Sequence, residues 1–187
     1  MSRILSLLCF IVPIACAPTF AQGPQKIDAA KSWIRFAGKQ MNVPLEGRFR
    51  KFDATVVFDP ARPEATKAQF EVDLASIDLG NEEGETEVKR PLWFNVERYP
   101  KAKFLTSSVK PLGPGKFEAA GALTIKGTTH AIVAPLTFSE SAGVRLVEGE
   151  FPVKRLAFRI GEGHWSDTET VADEVVVRFR FAIPSTR

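Results

Sequence analysis

Hydrophobic and polar residues alternate along most of this chain, the pattern of β-strands that bury one face. Residues 121–138 contain two such runs, interrupted at Gly127. The apolar positions of the two runs are Leu123, Ile125, Ile132, Ala134, Leu136 and Phe138. This predicts a β-hairpin with one apolar face, which must be covered either by more protein or by a bound apolar ligand.

The same alternation continues on both sides of this hairpin. Gly47 lies within a predicted strand, where glycine indicates a bend or bulge, and Asp59 with Pro60 indicates a turn. The other predicted strands contain Ile34 and Phe36, residues 45–49, 54–58, 70–74, 104–106, 147–153, 158–160 and 175–183. We therefore expect an all-β fold of about eight short antiparallel strands, arranged as a sandwich or a closed barrel.

One stretch has helical character. Asn81 is a suitable N-cap, and Glu82, Glu83 and Glu85 place negative charge in the first turn, where the helix dipole favours it. Pro91 limits this helix to about three turns. We expect one or two short helices in this loop.

Phenylalanine is abundant, with 15 residues in the chain, and most share one parity on their strands. In a barrel of about eight strands, such side chains either fill the interior or line a cavity for one small ligand. Periodicity does not decide between these two interpretations.

Residues 1–21 resemble a secretory signal peptide, with Arg3 before an apolar run and small residues near the expected cleavage site. Cys9 and Cys16 both lie in this segment, so the exported chain would have no thiol. The alternative, lipidation at Cys16, fits the preceding residues poorly. We expect a single domain at residues 22–187, and the formal net charge of +3 gives no electrostatic reason to expect nucleic-acid binding.

Several segments resemble the YceI-like family of exported, lipocalin-like barrels associated with polyisoprenoid and other amphiphilic ligands. The resemblance spans about Lys26 to Ile183. The hairpin matches the family's G-x-L-T-I-[KR]-G-x-[ST] signature at Gly121, Leu123, Thr124, Ile125, Lys126, Gly127 and Thr129, with His130 following. Other matching residues are Gly47, Phe49 and Phe52, then Ser76, Ile77 and Asp78, then Trp93, Phe94, Tyr99 and Pro100.

The resemblance implies an up-and-down antiparallel barrel in the periplasm that holds a long-chain amphiphile: a polyisoprenoid, an isoprenoid quinone or a fatty-acid derivative. No covalent cofactor is implied. The Trp93-Phe94 pair, residues 161–167 and residues 171–174 resemble a branch of the family found with or beside diheme transmembrane cytochromes b. This resemblance implies an isoprenoid quinone as a ligand and a cytochrome b as a candidate partner. In the pattern that this stretch resembles, many relatives carry an aspartate and then a histidine before the aromatic pair. This chain keeps an acidic residue at the first position, Glu85, but has Glu87 in place of the histidine, so a head-group contact from that histidine is not carried over.

Parity and resemblance together predict the ligand-binding residues, with Trp93 beside the mouth of the barrel. The predicted set is Ile34, Phe36, Phe49, Phe70, Val72, Trp93, Phe94, Phe104, Leu123, Phe138, Phe158 and Phe179. The alternative functions are a non-binding accessory partner of a membrane redox protein and, less favoured, an uncharacterised hydrolase. The sequence leaves a homodimer open.

Few residues are candidates for metal binding or catalysis. His130 and His164 lack neighbouring ligands at metal-site spacing, and we expect both in exposed turns. His164 with Ser166 and Asp167 has no nucleophile-elbow context, so we expect no enzyme activity. The alternating arginines Arg35, Arg159, Arg178 and Arg180 are expected to point outward, although one near the mouth could meet a polar head group.

Overall fold

The computed structural model describes residues 23–58 and 62–185. The predicted signal peptide at residues 1–21, the two cysteines within it and the turn at Asp59 and Pro60 lie outside the described residues.

The described chain is all-β with one α-helix, and it contains eleven strands rather than about eight. Two of these strands have only two residues each, too few to show an alternating pattern. The strands are β1 (Gln25–Lys26), β2 (Trp33–Gln40), β3 (Val43–Phe49), β4 (Phe52–Val57), β5 (Lys67–Asp73), β6 (Ile77–Asp78), β7 (Lys101–Gly113), β8 (Lys116–Ile125), β9 (Thr128–Ser141), β10 (Val144–Lys154) and β11 (Glu174–Pro184).

All strands belong to one antiparallel sheet that curls into a half-barrel. Their order is β1-β4-β5-β7-β8-β9-β10-β11-β2-β3-β6. β3 and β4 therefore lie near opposite ends of the sheet, yet only Arg50 and Lys51 separate them in the chain. This short connection brings the two ends of the sheet together and gives the wall its curvature.

Three of the hairpins turn through two residues with positive φ, the type I′ geometry that suits the twist of antiparallel strands. These pairs are Met41 and Asn42, Lys126 and Gly127, and Ala142 and Gly143. The middle pair joins β8 to β9 and confirms the hairpin predicted at residues 121–138.

Helix α1 (Glu82–Lys89) forms where the acidic stretch predicted it. The Asn81 side chain accepts a hydrogen bond from the Gly84 amide, which caps the first turn. The helix ends before Pro91, as expected from the missing amide hydrogen of proline.

Three local predictions were wrong. His130, which was expected in a turn, lies on β9. Gly47 pairs in regular register with Phe36, and the irregular pairing lies instead between β7 and β8, at Thr106/Ser108 and Pro111/Gly113. The predicted strand at residues 158–160 is replaced by a 3₁₀ turn at Arg155–Phe158, after which Arg159 takes a left-handed conformation.

The buried residues form two apolar clusters inside the half-barrel. One surrounds Val56, Phe58 and Phe117. The other contains Trp93 and Phe158 and packs beneath α1. In the described part of the chain, no helix is long and apolar enough to cross a membrane.

Candidate functional site

A large cavity of about 1170 Å³ is lined by residues of both apolar clusters. It exceeds the usual 300–1,000 Å³ range of small-molecule sites. Its walls are the inward faces of the strands, where apolar side chains alternate with outward polar ones. The hairpin of β8 and β9 contributes Leu123, Ile125, Ala134, Leu136 and Phe138.

Eleven of the twelve predicted site residues border this cavity, the exception being Phe158. Phe158 is 2 % exposed, and its ring packs edge-on against the His130 ring, with 4.8 Å between the two ring centroids. Parity failed there because residues 155–158 turn instead of continuing a strand. The bordering residues are Ile34, Phe36, Phe49, Phe70, Val72, Trp93, Phe94, Phe104, Leu123, Phe138 and Phe179.

Many phenylalanine side chains point into the half-barrel, yet a cavity remains among them. The position of some of their rings explains this. Phe36 and Phe179 each lie directly opposite a glycine, Gly47 and Gly149 respectively. A Cβ atom on Gly47 would collide with the Phe36 ring, and one on Gly149 would lie 2.7 Å from Cζ of Phe179. The rings therefore fold over glycine backbone and form part of the wall, instead of extending into the centre.

A phenylalanine ring also covers Gly121, where a Cβ atom would collide with the ring of Phe104. In this case the ring reaches the glycine diagonally, because Phe104 lies opposite Leu123. Gly121 belongs to the signature segment and Gly47 to the G-x-F-x-x-F segment of the family resemblance. Their lack of a side chain thus creates space for the aromatic wall of the cavity.

The cavity reaches solvent near α1. Most of its exposed lining residues lie on or beside this helix and at the end of β2, namely Lys39, Gln40, Asn81, Glu82, Glu83, Thr86 and Arg90. One further exposed lining residue, Lys103, lies on β7. The remainder of the lining is dominated by apolar side chains. The site therefore has one polar rim and an apolar interior, the division that an amphiphile with one head group requires.

A buried arginine organises the loops that close the cavity beneath α1. Arg155 is 3 % exposed, and its guanidinium donates hydrogen bonds to five backbone carbonyls. Burial lowers the pKa of Arg155 from its ordinary value, while Asp173 opposes this change. Because its donors serve these loop carbonyls, Arg155 is a structural residue, although it borders the cavity. The accepting residues are Ile160, Gly161, Trp165, Val171 and Ala172.

Glu87 connects α1 to the loop that carries Trp165. Its Oε1 accepts a hydrogen bond from Trp165 Nε1 at 3.1 Å, and its Oε2 pairs with Arg90 at 3.1 Å. Here the side chain fastens the helix across the opening of the cavity.

The side chain of Lys126 holds the turn between β8 and β9 in place and is only 5 % exposed. Lys126 Nζ donates to the Arg159 carbonyl at 2.6 Å and to Glu162 Oε2 at 2.9 Å. The hydrogen bond from Lys126 lowers the pKa of Glu162, and a second from Arg159 adds to this. The signature turn is thus tied to the loop that follows Phe158.

Two buried polar atoms of the lining residues have no hydrogen-bond partner among the described residues, Trp93 Nε1 and Thr66 Oγ1. Both atoms are fully buried. Neither atom therefore offers a hydrogen bond to a molecule in the cavity unless its surroundings move.

The predicted chemistry residues lie outside the cavity. His164 packs against Trp165, while the Ser166 hydroxyl donates to the Gly163 carbonyl and Asp167 accepts from Thr170. Ser166 and Asp167 thus serve local turns. Across residues 23–58 and 62–185, no three His, Cys, Asp or Glu side chains converge on a metal position.

Sequence reasoning missed the structural roles of Lys126, Arg155 and Glu87. Lysine in a turn and arginine after a strand ordinarily face solvent, so their burial had no signal in the local pattern. The only hint was Lys126 within the signature segment, where a charged residue was part of the motif.

Comparison with known proteins agrees with this geometry. The sequence profile of the YceI-like domain matches residues 25–183. The structure resembles that of Burkholderia cenocepacia BcnA, with a TM-score of 0.81 and 42 % identity over 83 % of this chain and 98 % of that one. A polyisoprenoid binding domain from Saccharophagus degradans has the same fold, with a TM-score of 0.68 at 17 % identity over 86 % of this chain and 98 % of the other.

The chain belongs to the YceI-like family. Among its sequence relatives, a UPF0312 protein of Pseudomonas syringae pv. tomato is 35 % identical over 95 residues, which cover 51 % of this chain and 50 % of the relative. A UPF0312 protein of Azotobacter vinelandii is 34 % identical over 94 residues, or 50 % of this chain and 49 % of the relative. The matched region thus spans about half the length of these curated relatives.

Proposed function

We propose that this protein is a periplasmic binding and carrier protein, which holds a long-chain amphiphile inside the half-barrel. The ligand class is a polyisoprenoid, an isoprenoid quinone or a fatty-acid derivative. The observation that supports this most directly is the apolar cavity of about 1170 Å³. The shared fold with a polyisoprenoid binding domain from another organism supports the same ligand class.

Binding would be driven by burial of the ligand's hydrocarbon chain. Each methylene removed from water contributes about 0.8 kcal/mol, so ten shielded methylenes contribute about 8 kcal/mol. A free energy of this size corresponds to roughly micromolar binding, before the costs of ordering the chain are subtracted. Covalent attachment is not required.

The polar rim defines the orientation of the ligand. The tail would lie among Phe36, Leu123 and Phe179, and the head group would remain near Gln40 and Asn81. Ligand release in this arrangement involves α1, which Glu87 holds to the Trp165 loop.

Native mass spectrometry of protein purified from its own compartment tests this proposal. We expect a discrete added mass that lipid extraction removes, and a polypeptide mass that corresponds to cleavage near residue 21. Protein that is consistently empty, with no lipid in the extract, would contradict the carrier function. An uncleaved chain recovered only from the cytoplasm would contradict the periplasmic location.

A pair of arginine substitutions locates the site. Phe36→Arg places a charge inside the apolar cavity and should abolish occupancy, because an unpaired buried charge is strongly disfavoured. Val133→Arg adds the same group to the outer surface, where Val133 is 52 % exposed, and should leave occupancy unchanged. Equal occupancy in both folded variants would place the ligand elsewhere. A cytochrome b partner and a homodimer remain predictions.

A further inference from the structure

The outer wall of the half-barrel carries a row of arginines that the strand register creates. Arg178 on β11 lies directly opposite Arg35 on β2, and Arg35 lies directly opposite Arg48 on β3. Neighbouring strands are about 4.8 Å apart, so three positive side chains occupy about 10 Å of surface. All three point away from the cavity, because Ile34 and Phe36 on either side of Arg35 line its interior.

Carboxylates engage the two ends of this row but leave its centre free. Arg178 pairs with Glu150 at 2.9 Å, and Arg48 pairs with Asp78 at 2.7 Å. Arg35 instead stacks over the Trp33 ring at 4.8 Å. Within residues 23–58 and 62–185, no carboxylate forms an ion pair with Arg35.

Two more arginines extend the positive surface. Arg50 shares Asp78 with Arg48, at 3.0 Å, and Arg180 lies opposite Trp33 and near Glu148, at 3.6 Å. Glu46 is exposed on the same face of β3 as Arg48. Five arginines thus share this wall with four carboxylates, which leaves a net positive charge. The side chains remain accessible, since those of Arg48 and Arg178 are 60 % and 51 % exposed.

This arrangement is unfavourable for folding alone. Like charges directly opposite each other on adjacent strands destabilise a sheet, and Arg35 has such a neighbour on both sides. A glutamate at position 35 would face two arginines and relieve this repulsion. The row is therefore better explained by an interaction outside the folded chain than by stability.

We infer that the arginine row Arg178-Arg35-Arg48 is a docking surface for an acidic segment of a partner protein. Guanidinium groups bind carboxylates in planar, bidentate geometry, and Trp33 adds an aromatic face beside the central arginine. Glu150 and Asp78 border the row on its two sides. A broad anionic membrane would meet these carboxylates as well, whereas a narrow acidic segment would contact the arginines between them.

Binding of poly(L-glutamate) to the purified protein, measured by calorimetry at low and high salt, tests this surface. We expect salt-sensitive binding that Arg35→Glu weakens about tenfold, or about 1.4 kcal/mol. The control is Lys110→Glu, which makes the same change of charge at an exposed position on β7 and should have little effect. Arg35→Glu should also raise the midpoint of thermal unfolding, which distinguishes loss of a binding group from loss of structure.

Three outcomes would overturn the inference. If Arg35→Glu and Lys110→Glu weakened the binding of poly(L-glutamate) equally, the polymer would be attracted by the net charge of the protein alone. Binding to phosphatidylglycerol vesicles without binding to poly(L-glutamate) would assign the row to a membrane. Self-association that Arg35→Glu abolishes would assign it to a second copy of this chain, whose acidic helix α1 also carries carboxylates.

Discussion

The ring of Phe36 covers Gly47, its direct partner on the adjacent strand, so that a single methyl group at Gly47 would collide with the ring. Phe36 keeps its place in the cavity wall only because Gly47 has no side chain. The volume of the cavity therefore depends on glycine as much as on the apolar residues that line it.

Gly47→Ala should push the Phe36 ring toward the centre of the cavity. We expect a destabilisation of about 1–3 kcal/mol, as for other overpacked sites, together with weaker uptake of a fluorescent fatty acid. Gly38→Ala is the matched control, because its new Cβ would meet Val175 Cγ2 at 3.6 Å, an ordinary contact. Equal uptake by the two variants would show that the ring does not limit the cavity.

The strand pattern was predictable because alternation records which face is buried. Phe36, Phe104 and Phe179 were correctly placed on the inner face. Alternation does not record the side-chain torsions that fold a ring over a glycine or extend it into the centre. A packed core and a cavity therefore looked the same in the sequence, and the structure distinguished them.

Lys126→Met tests the anchoring of the signature turn. The variant keeps the length of the side chain but removes the donor to the Arg159 carbonyl and the charge beside Glu162. We expect a loss of about 1–3 kcal/mol in the free energy of unfolding, the usual cost of leaving buried polar groups unsatisfied. Denaturant unfolding measures it, with the exposed Lys110→Met as the control, and equal effects would show that the anchor contributes nothing.

Polar anchors of this kind were not predictable, since each joins residues distant in sequence. Lys126 meets Glu162, 36 positions away, and Glu87 meets Trp165, 78 positions away. The arginine row depends equally on the strand register, which brings Arg35 between Arg178 and Arg48. Local patterns showed only that these residues were charged.

Acid titration should reveal the ion pairs between β5 and β7. Hydrogen bonds from Lys101 and Lys103 lower the pKa of Glu71 from its ordinary 4.5 to about 2. A depressed folded-state pKa stabilises the fold above the unfolded pKa, and this contribution disappears as the pH falls through the folded value. The wild-type protein should therefore be more stable than Glu71→Gln at neutral pH, and the difference should shrink between about pH 4.5 and pH 2.

Unfolding at a series of pH values measures this difference. The control is Glu97→Gln, at an exposed position that forms no ion pair within the described residues. A gap between wild type and Glu71→Gln that stays constant down to pH 2 would contradict the assignment of Glu71 as the titrating group.

Glu87→Ala should free α1 from the loop that carries Trp165. The substitution removes the acceptor of Trp165 Nε1, but the Asn81 cap at the start of the helix remains. Because local opening depends on contacts at the element itself, amide hydrogen exchange in residues 82–89 should accelerate while exchange in β8 and β9 stays slow. Glu87→Gln keeps an acceptor oxygen and should exchange nearly as slowly as wild type. Equal exchange in all three proteins would show that packing alone holds the helix, and that Glu87 has no part in opening the cavity.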